Sequence, residues 1–488
     1  MLQLLIEKEL KAILQSPKFV ATFGVCSILI MLSIFIGVRE YRASLAQYEI
    51  ATSLVDQKVA EATSFRNMQT KVYREPDPMQ IFMSGVNYDV GRLSQIQSKQ
   101  DVKLEQSAYS EDPLFAVFRY IDFAFIVQVV LSLFAIVFTY DAINGERESG
   151  TLKLVLSNAV PRAKYLIAKM TGAWLGLTIP LLIPILLGLL LLFLFKVPMT
   201  GSDWLKLTTL IGVSILYFTF FIALGLLVSS LTRTSSVSFL LLLVAWITLV
   251  LIVPRGATMA AGQLVNVPTV AEIESQKDRY RTDMQQDTDE QRHNLWEQVM
   301  APAEGLPREE RRAFYQANRS AFRELAEDLQ TAMEEEIAEH NRQVNEGLRN
   351  AKSEQERLAF LLSRFSPASA YKLTAMNLGG TNTSIKKRYE DQMFAYRETY
   401  NSYVAKKSQQ EKKARQEAAQ KSRNSRMFRM TGSGNEAVDA NDMPKFIASR
   451  EPVGTAIKAS ILDFGLLSVF TVLAFAGAFL AFVRYDVR

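Results

Sequence analysis

Glu146-Arg147-Glu148-Ser149-Gly150-Thr151-Leu152-Lys153-Leu154 lies between two long apolar runs and decides how the chain is read. So dense a cluster of charge cannot lie in hydrocarbon, and it must emerge at a membrane face. Gly150 interrupts helix, Thr151 can cap a new one, and Leu152, Leu154, Val155 and Leu156 give that short helix an apolar side. A brief polar helix wedged between two spans is shaped to be pushed by a partner from the aqueous side.

Outward from this stretch, a spanning helix needs about 20 apolar residues to cross roughly 30 Å of hydrocarbon. Six segments qualify: 18–38, 121–140, 170–195, 205–231, 237–253 and 464–483. Pro180 and Pro184 predict a kink or a break in the third. Residues 229–236 are too polar for lipid and read as a tight turn between the fourth and fifth. Residues 1–17 place Leu2, Leu5, Ile6, Leu10, Ile13 and Leu14 largely opposite Glu7, Lys8 and Lys11, an amphipathic helix suited to the headgroup region, and Pro17 ends it.

Lys8 and Lys11 precede the first span and Lys18 opens it; Arg147, Lys153, Arg162, Lys164 and Lys169 lie between the second and third; Arg233, Arg484 and Arg488 fall on the same face. That face is expected to be cytoplasmic, with both termini inside. Segments 39–120, expected to be partly helical, and 254–463 then lie outside, with 141–169 as the cytoplasmic connection. In the second outer segment Phe322, Leu325, Leu329, Met333, Ile337, Val344 and Leu348 recur at helical spacing and predict a helix over 308–350, about 60 Å long. Residues 384–425, with Tyr389, Tyr396, Tyr400 and Tyr403, offer a return arm, and 405–442 reads as a helix end and flexible connector. The apolar run 358–371 is too short to span and is expected to pack at the outer membrane face or in the domain core. The fold class is all-α membrane protein: an interfacial N-terminal helix, six spans and a large extracytoplasmic helical domain between the fifth and sixth.

The 488 residues are 49% hydrophobic with charges gathered in blocks, which suits membrane spans with aqueous portions. A net charge of +5 with mixed signs shows no nucleic-acid footprint. Cys26 is the single cysteine, so no intramolecular disulfide forms. Glu336 and His340 stand four apart, a spacing a metal could use, but two such residues on a highly charged helix are more often a solvated face; no metal site is expected. No GxxxxGK[ST] phosphate loop occurs.

The order acid-Arg-acid-x-Gly-Thr-Leu at 146–152, followed by Pro161-Arg162 and Lys169, resembles the signature of the ABC-2 family of transporter permeases. Gly225-Leu226-Leu227-Val228-Ser229-Ser230-Leu231-Thr232-Arg233 looks like that family's end of the fourth span. Phe365-Ser366-Pro367-Ala368, Leu378-Gly379-Gly380-Thr381 and Tyr389-Glu390-Asp391-Gln392 resemble a subgroup with a large insertion before the last span. The resemblance implies the permease subunit of an ATP-driven exporter in a bacterial inner membrane, itself no enzyme. Two such chains, identical or sister permeases, would pair with two separate P-loop ATPases that carry the ATP and Mg, this chain needing no cofactor. It makes Glu146, Arg147, Glu148, Gly150, Thr151 and Leu152 the ATPase-coupling residues, the acids meeting basic residues of the ATPase or setting local shape. An alternative keeps the fold and has ATP hydrolysis move the outer domain or an extracytoplasmic partner without transport.

Asp122 and Asp463 sit near outer ends of spans, where an acid either serves a pathway or pairs with Arg119 or Lys458. Together with Gln128, Pro180 and Pro184 they are candidate pathway or gate residues. Trp174, Trp204 and Trp246 suit an interfacial belt.

Overall fold

A computed structural model describes residues 2–63, 65, 70–87, 93–96, 104–105, 121–158, 160–424 and 442–484. Among the described residues, six helices are long and apolar enough to cross a membrane: Pro17–Ala60, Phe123–Glu148, Arg162–Leu194, Gly201–Leu231, Ser235–Leu264 and Val453–Val483. The chain divides into two compact units, one of residues 1–252 and 366–488, the other Val253–Phe365.

In the first unit, α1 (Leu2–Leu14) stops before Ser16, whose hydroxyl accepts from Phe19 N, and Pro17 takes the first position of α2 (Pro17–Ala60). Proline fits there because no intrahelical donor is lost. At 44 residues α2 is about 66 Å long and runs well past the hydrocarbon. The flank expected to lead into the second span lies outside the described residues, as does Arg119. Between them the all-helical expectation misses a small antiparallel sheet, β1 (Thr70–Tyr73), β2 (Leu93–Ile96) and β3 (Leu104–Glu105), in the order β1-β2-β3. Thr70 and Val72 point inward and Lys71 outward, so Val72 supplies the buried face.

Helix α3 (residues 123–139) contains a wide turn at Ile126–Leu131, and α4 (Asn144–Glu148) and α5 (Thr151–Ser157) form the elbow that follows. Helix α6 (Arg162–Leu194) is continuous through Pro180 and Pro184, so the chain is not broken there. Helix α7 (Gly201–Leu231) starts on a reciprocal cap between Thr200 and Asp203. Thr232 is extended and α8 (Ser235–Leu264) begins three residues later, with its own wide turn at Ile247–Ile252.

The apolar run 358–371 is split: residues 358–363 end the long helix of the second unit, and 367–371 open α11 (Pro367–Gly379), buried against α7 and α13 (Val453–Val483). Its start is held by Ser366, whose Oγ accepts from Ala368 N and Ser369 N and donates to the Leu249 carbonyl in the wide turn of α8. Tyr371 stacks on Tyr217 at 4.7 Å between centroids, and its hydroxyl lies 3.1 Å from Ser214 Oγ. Trp174 and Trp246 are not belt residues alone: their indole N–H groups donate to Thr219 and Ser132 at 2.9 and 2.8 Å. Helix α12 (Ser384–Asn424) packs Tyr389, Met393, Tyr396 and Tyr400 with Val59, Phe65 and Val72. The connector expected over 405–442 begins as this helix; residues 425–441 lie outside the described residues.

Charged side chains stitch the loops around this unit. Arg450 pairs with Glu75 at 2.9 Å, and buried Lys206 donates to the Glu451 carbonyl at 2.8 Å. Asp77 accepts from Met79 N at 2.9 Å, and burial pushes its carboxyl above the usual carboxylate range against the pull of Arg450. A carboxyl raised on folding binds a proton more readily folded than unfolded, so its penalty is absent at low pH and grows as pH rises past about 4. Asp77→Asn keeps the acceptor and is expected to raise the melting temperature at pH 7, with the gap closing toward pH 4; equal gaps at both would show the charge is not the cause.

The second unit is an antiparallel hairpin of α9 (Val270–Met300) and α10 (Arg308–Ser363), joined by the end of α8. Trp296 meets Tyr315 and Phe322 near the turn, while Tyr280 stacks on His340 at 3.7 Å and donates to Glu336 at 3.1 Å. The pairing of 308–350 with 384–425 expected from sequence is therefore corrected. Its partner is α9, whose apolar stripe of Ile273, Tyr280 and Trp296 is too sparse to stand out. At 56 residues α10 is about 84 Å long.

Candidate functional site

The elbow α4–α5 is built from bonds that reach far along the chain. At its start Ile143 N and Asn144 N donate to Ser229 Oγ at 3.0 and 3.3 Å, and the Asn144 amide lies 2.7 Å from the Thr232 hydroxyl. The polar Ser229–Thr232 run at the end of α7 thus satisfies the backbone where α3 ends.

Glu146 is the hub. Its Oε1 accepts from Lys8 of α1 at 2.8 Å and from Lys169 of α6 at 2.9 Å, and its Oε2 accepts from Tyr165 at 2.6 Å. Lys169 also pairs with Glu9 at 2.8 Å and is only 6% exposed, so one ammonium serves two carboxylates. Such a group is tolerated in a dry setting only because its donors are used. Helix α1 lies on α6 at Gly172 and Gly176, which brings Glu9 within reach.

Glu148 acts on a different element. Its two oxygens accept from Ser235 N at 2.8 Å and Ser235 Oγ at 2.9 Å, so it caps the first turn of α8 and places a negative charge at the helix start. Arg147 is half-buried on the same turn. Gly150 has φ of +77°, the left-handed conformation that other residues pay about 1–2 kcal/mol to adopt. It occupies the cap position itself. Thr151 does not cap as its type suggests: its hydroxyl donates to the Glu146 carbonyl at 3.2 Å and closes the bend from inside.

Leu152 is buried with Ile143, Val160, Tyr165, Leu166, Leu226 and Phe482. Phe482 stacks on Tyr165 at 5.2 Å, and Arg162 donates to the Val483 carbonyl at 2.6 Å, so the last span closes over the same patch. Leu154, two positions on, faces the other way and is 66% exposed, flanked by exposed Thr151, Lys153, Ser157 and Asn158.

The six residues singled out at the elbow thus come together; the pathway candidates do not join them. Asp122 sits at the opposite end of α3, roughly 25 Å along the helix, where it accepts from Phe125 N at 2.7 Å and from Ser84 N and Oγ at 2.9 and 2.8 Å. The Gln128 carbonyl, in the wide turn of α3, accepts from Tyr217 at 2.9 Å and Ser132 at 2.6 Å. Pro184 is buried and Pro180 half-buried inside α6, and Asp463 is buried within α13. Lys8, Glu9, Tyr165 and Ser235 escaped the sequence reading of the site; Lys169 and Ser229 entered it only within the family resemblance, and Leu154 only on the apolar side of the short helix.

A family model described as ABC-2 family transporter protein matches residues 3–487. No curated protein matches the chain. With the match covering nearly its whole length, the chain belongs to the ABC-2 transporter family and is a membrane permease of the ABC class.

Proposed function

We propose that this chain is the membrane subunit of an ATP-driven exporter in a bacterial inner membrane, with both termini cytoplasmic. It works as a dimer with two separate P-loop ATPases, on which ATP and Mg are held. The ATPase docks on α5 and pushes the elbow. One observation carries this reading: an exposed apolar knob, Leu154, stands on a short helix whose neighbours are bonded to α1, α6, α7 and α8. Because both acids are engaged within the chain, their task in this reading is to hold the elbow's shape, leaving Leu154 and the exposed polar residues around it to meet the ATPase.

Leu154→Glu should leave the fold intact, since the side chain is outside the core, and should abolish co-purification of the ATPase identified by mass spectrometry. Retention of a stoichiometric ATPase by the Leu154→Glu variant would sink the docking assignment, and absence of any ATPase from the wild type would sink the coupling reading.

A second reading has the outer helices moved and nothing transported, favoured by the length of α10 and by the reach of α2 beyond the membrane. Hydrogen exchange with and without ATP separates the two. Changes confined to the spans and elbow favour export, whereas changes along α9 and α10 favour transmission.

A further inference from the structure

Beside the membrane boundary where the first span leaves and the third ends, a cleft of about 530 Å³ opens between α2 and the turn after α6. Its walls carry Arg42 and Lys196 on one hand and Leu45, Leu194, Phe195 and Val197 on the other, with Glu49 also lining it. The charges sum to +1 from two cations and one acid. On a surface that faces lipid, a concavity of this size is filled by lipid or by water. Its basic side chains beside an apolar wall call for an amphiphile with a negative head.

Arg42 is held by an aromatic ring, and Lys196 stands at an unusual backbone position. The Arg42 guanidinium lies 5.7 Å from the centroid of the Phe195 ring, which in turn meets Phe35 edge-on at 6.1 Å. Lys196 has φ of +52° and is the only non-glycine residue with positive φ among the described residues. It occupies the left-handed position that ends α6: Val197 N bonds back to the Leu192 carbonyl at 2.9 Å and Lys196 N to the Phe193 carbonyl at 3.1 Å. That position is ordinarily filled by glycine. A lysine there accepts about 1–2 kcal/mol of backbone strain, and no ion pair to another described side chain compensates it.

We propose that this cleft is a binding site for an anionic glycerophospholipid of the surrounding membrane. Its phosphodiester lies between Arg42 and Lys196, and an acyl chain runs down the exposed Leu194 and Phe193 along α6. The charged head is recognised by two point contacts and the tail by the apolar surface that continues into the hydrocarbon.

Lys196→Gly separates the role of the side chain from that of the fold, because it removes the cation and relieves the backbone at once. The full chain, purified in detergent and delipidated, is titrated with phosphatidylglycerol, phosphatidylcholine or inorganic phosphate and read by native mass spectrometry beside its melting temperature. Wild type is expected to bind one phosphatidylglycerol per chain at this site. Lys196→Gly and Arg42→Gln should each weaken that binding about tenfold, the worth of a lost charge-assisted contact. The glycine variant should melt at or above the wild-type temperature without lipid. Equal phosphatidylglycerol binding by wild type and Lys196→Gly would overturn the site. Equal binding of phosphatidylcholine would overturn the anionic preference, and displacement of the lipid by equimolar inorganic phosphate would overturn the lipid assignment in favour of a free ion.

Discussion

Lys169→Met is expected to destabilise the protein by about 3 kcal/mol, the scale of breaking a buried ion pair by removing one partner. The methionine fills much the same volume, so the loss is electrostatic. Glu9 loses its ammonium outright, and Glu146 is left with Lys8 and the Tyr165 hydroxyl. Two carboxylates that shared one cation then repel each other in a site shielded from water. Thermal unfolding in detergent should show the drop, and proteolysis should show α1 released from α6. The double variant Lys169→Met with Glu9→Gln removes the excess charge and should recover part of the loss. A single variant that melts with the wild type would mean the elbow is held by apolar packing around Leu152 and not by charge.

Gly225→Ala is the second large effect, at about 2 kcal/mol, within the range for overpacking a close contact. A Cβ at that position falls on the Thr139 hydroxyl and comes within 2.5 Å of Thr139 Cβ. Rotation of Thr139 cannot relieve a clash with its Cβ, and its hydroxyl already donates to the Ala135 carbonyl at 2.7 Å. Helices α3 and α7 must therefore separate, just before the elbow. Thr139→Gly should cost about 1 kcal/mol by itself as a helix glycine. The pair of substitutions together should cost less than their sum, because the vacated space receives the new methyl. Simple additivity would show that the two helices do not meet there as described.

The spans were legible because lipid imposes one long apolar length on each, and the elbow because charge between two such lengths has nowhere else to go. What holds the elbow was not legible. Lys8 and Glu146 are 138 residues apart, and nothing local in either segment names the other. Glu146 and Glu148 look like free acids in the sequence and prove to be fasteners within the chain, half-buried Glu146 to α1 and α6 and exposed Glu148 to α8. Leu154 and Leu152 read alike as apolar positions of one short helix, and only the fold tells the anchor from the knob. The return arm for α10 was misplaced because tyrosines at regular spacing on α12 drew attention from the thin stripe on α9. In the case of α11 a length argument excluded a span correctly, while its burial between α7 and α13 depended on surfaces that no single segment displays.

The two wide turns have a mechanical consequence. Each accommodates more residues per turn than an α-helix does, so each is a reserve of slack. Passing one residue through such a turn advances the helix beyond it by about 1.5 Å and rotates it by about 100°. Both reserves lie beside α11, pinned by hydroxyls of Tyr217, Ser132 and Ser366 on the Gln128 and Leu249 carbonyls. If the elbow is pushed as proposed, torque entering α3 or α8 there would be taken up as a screw motion, with these hydroxyl–carbonyl bonds remade one residue along, before any of the packed spans has to come apart.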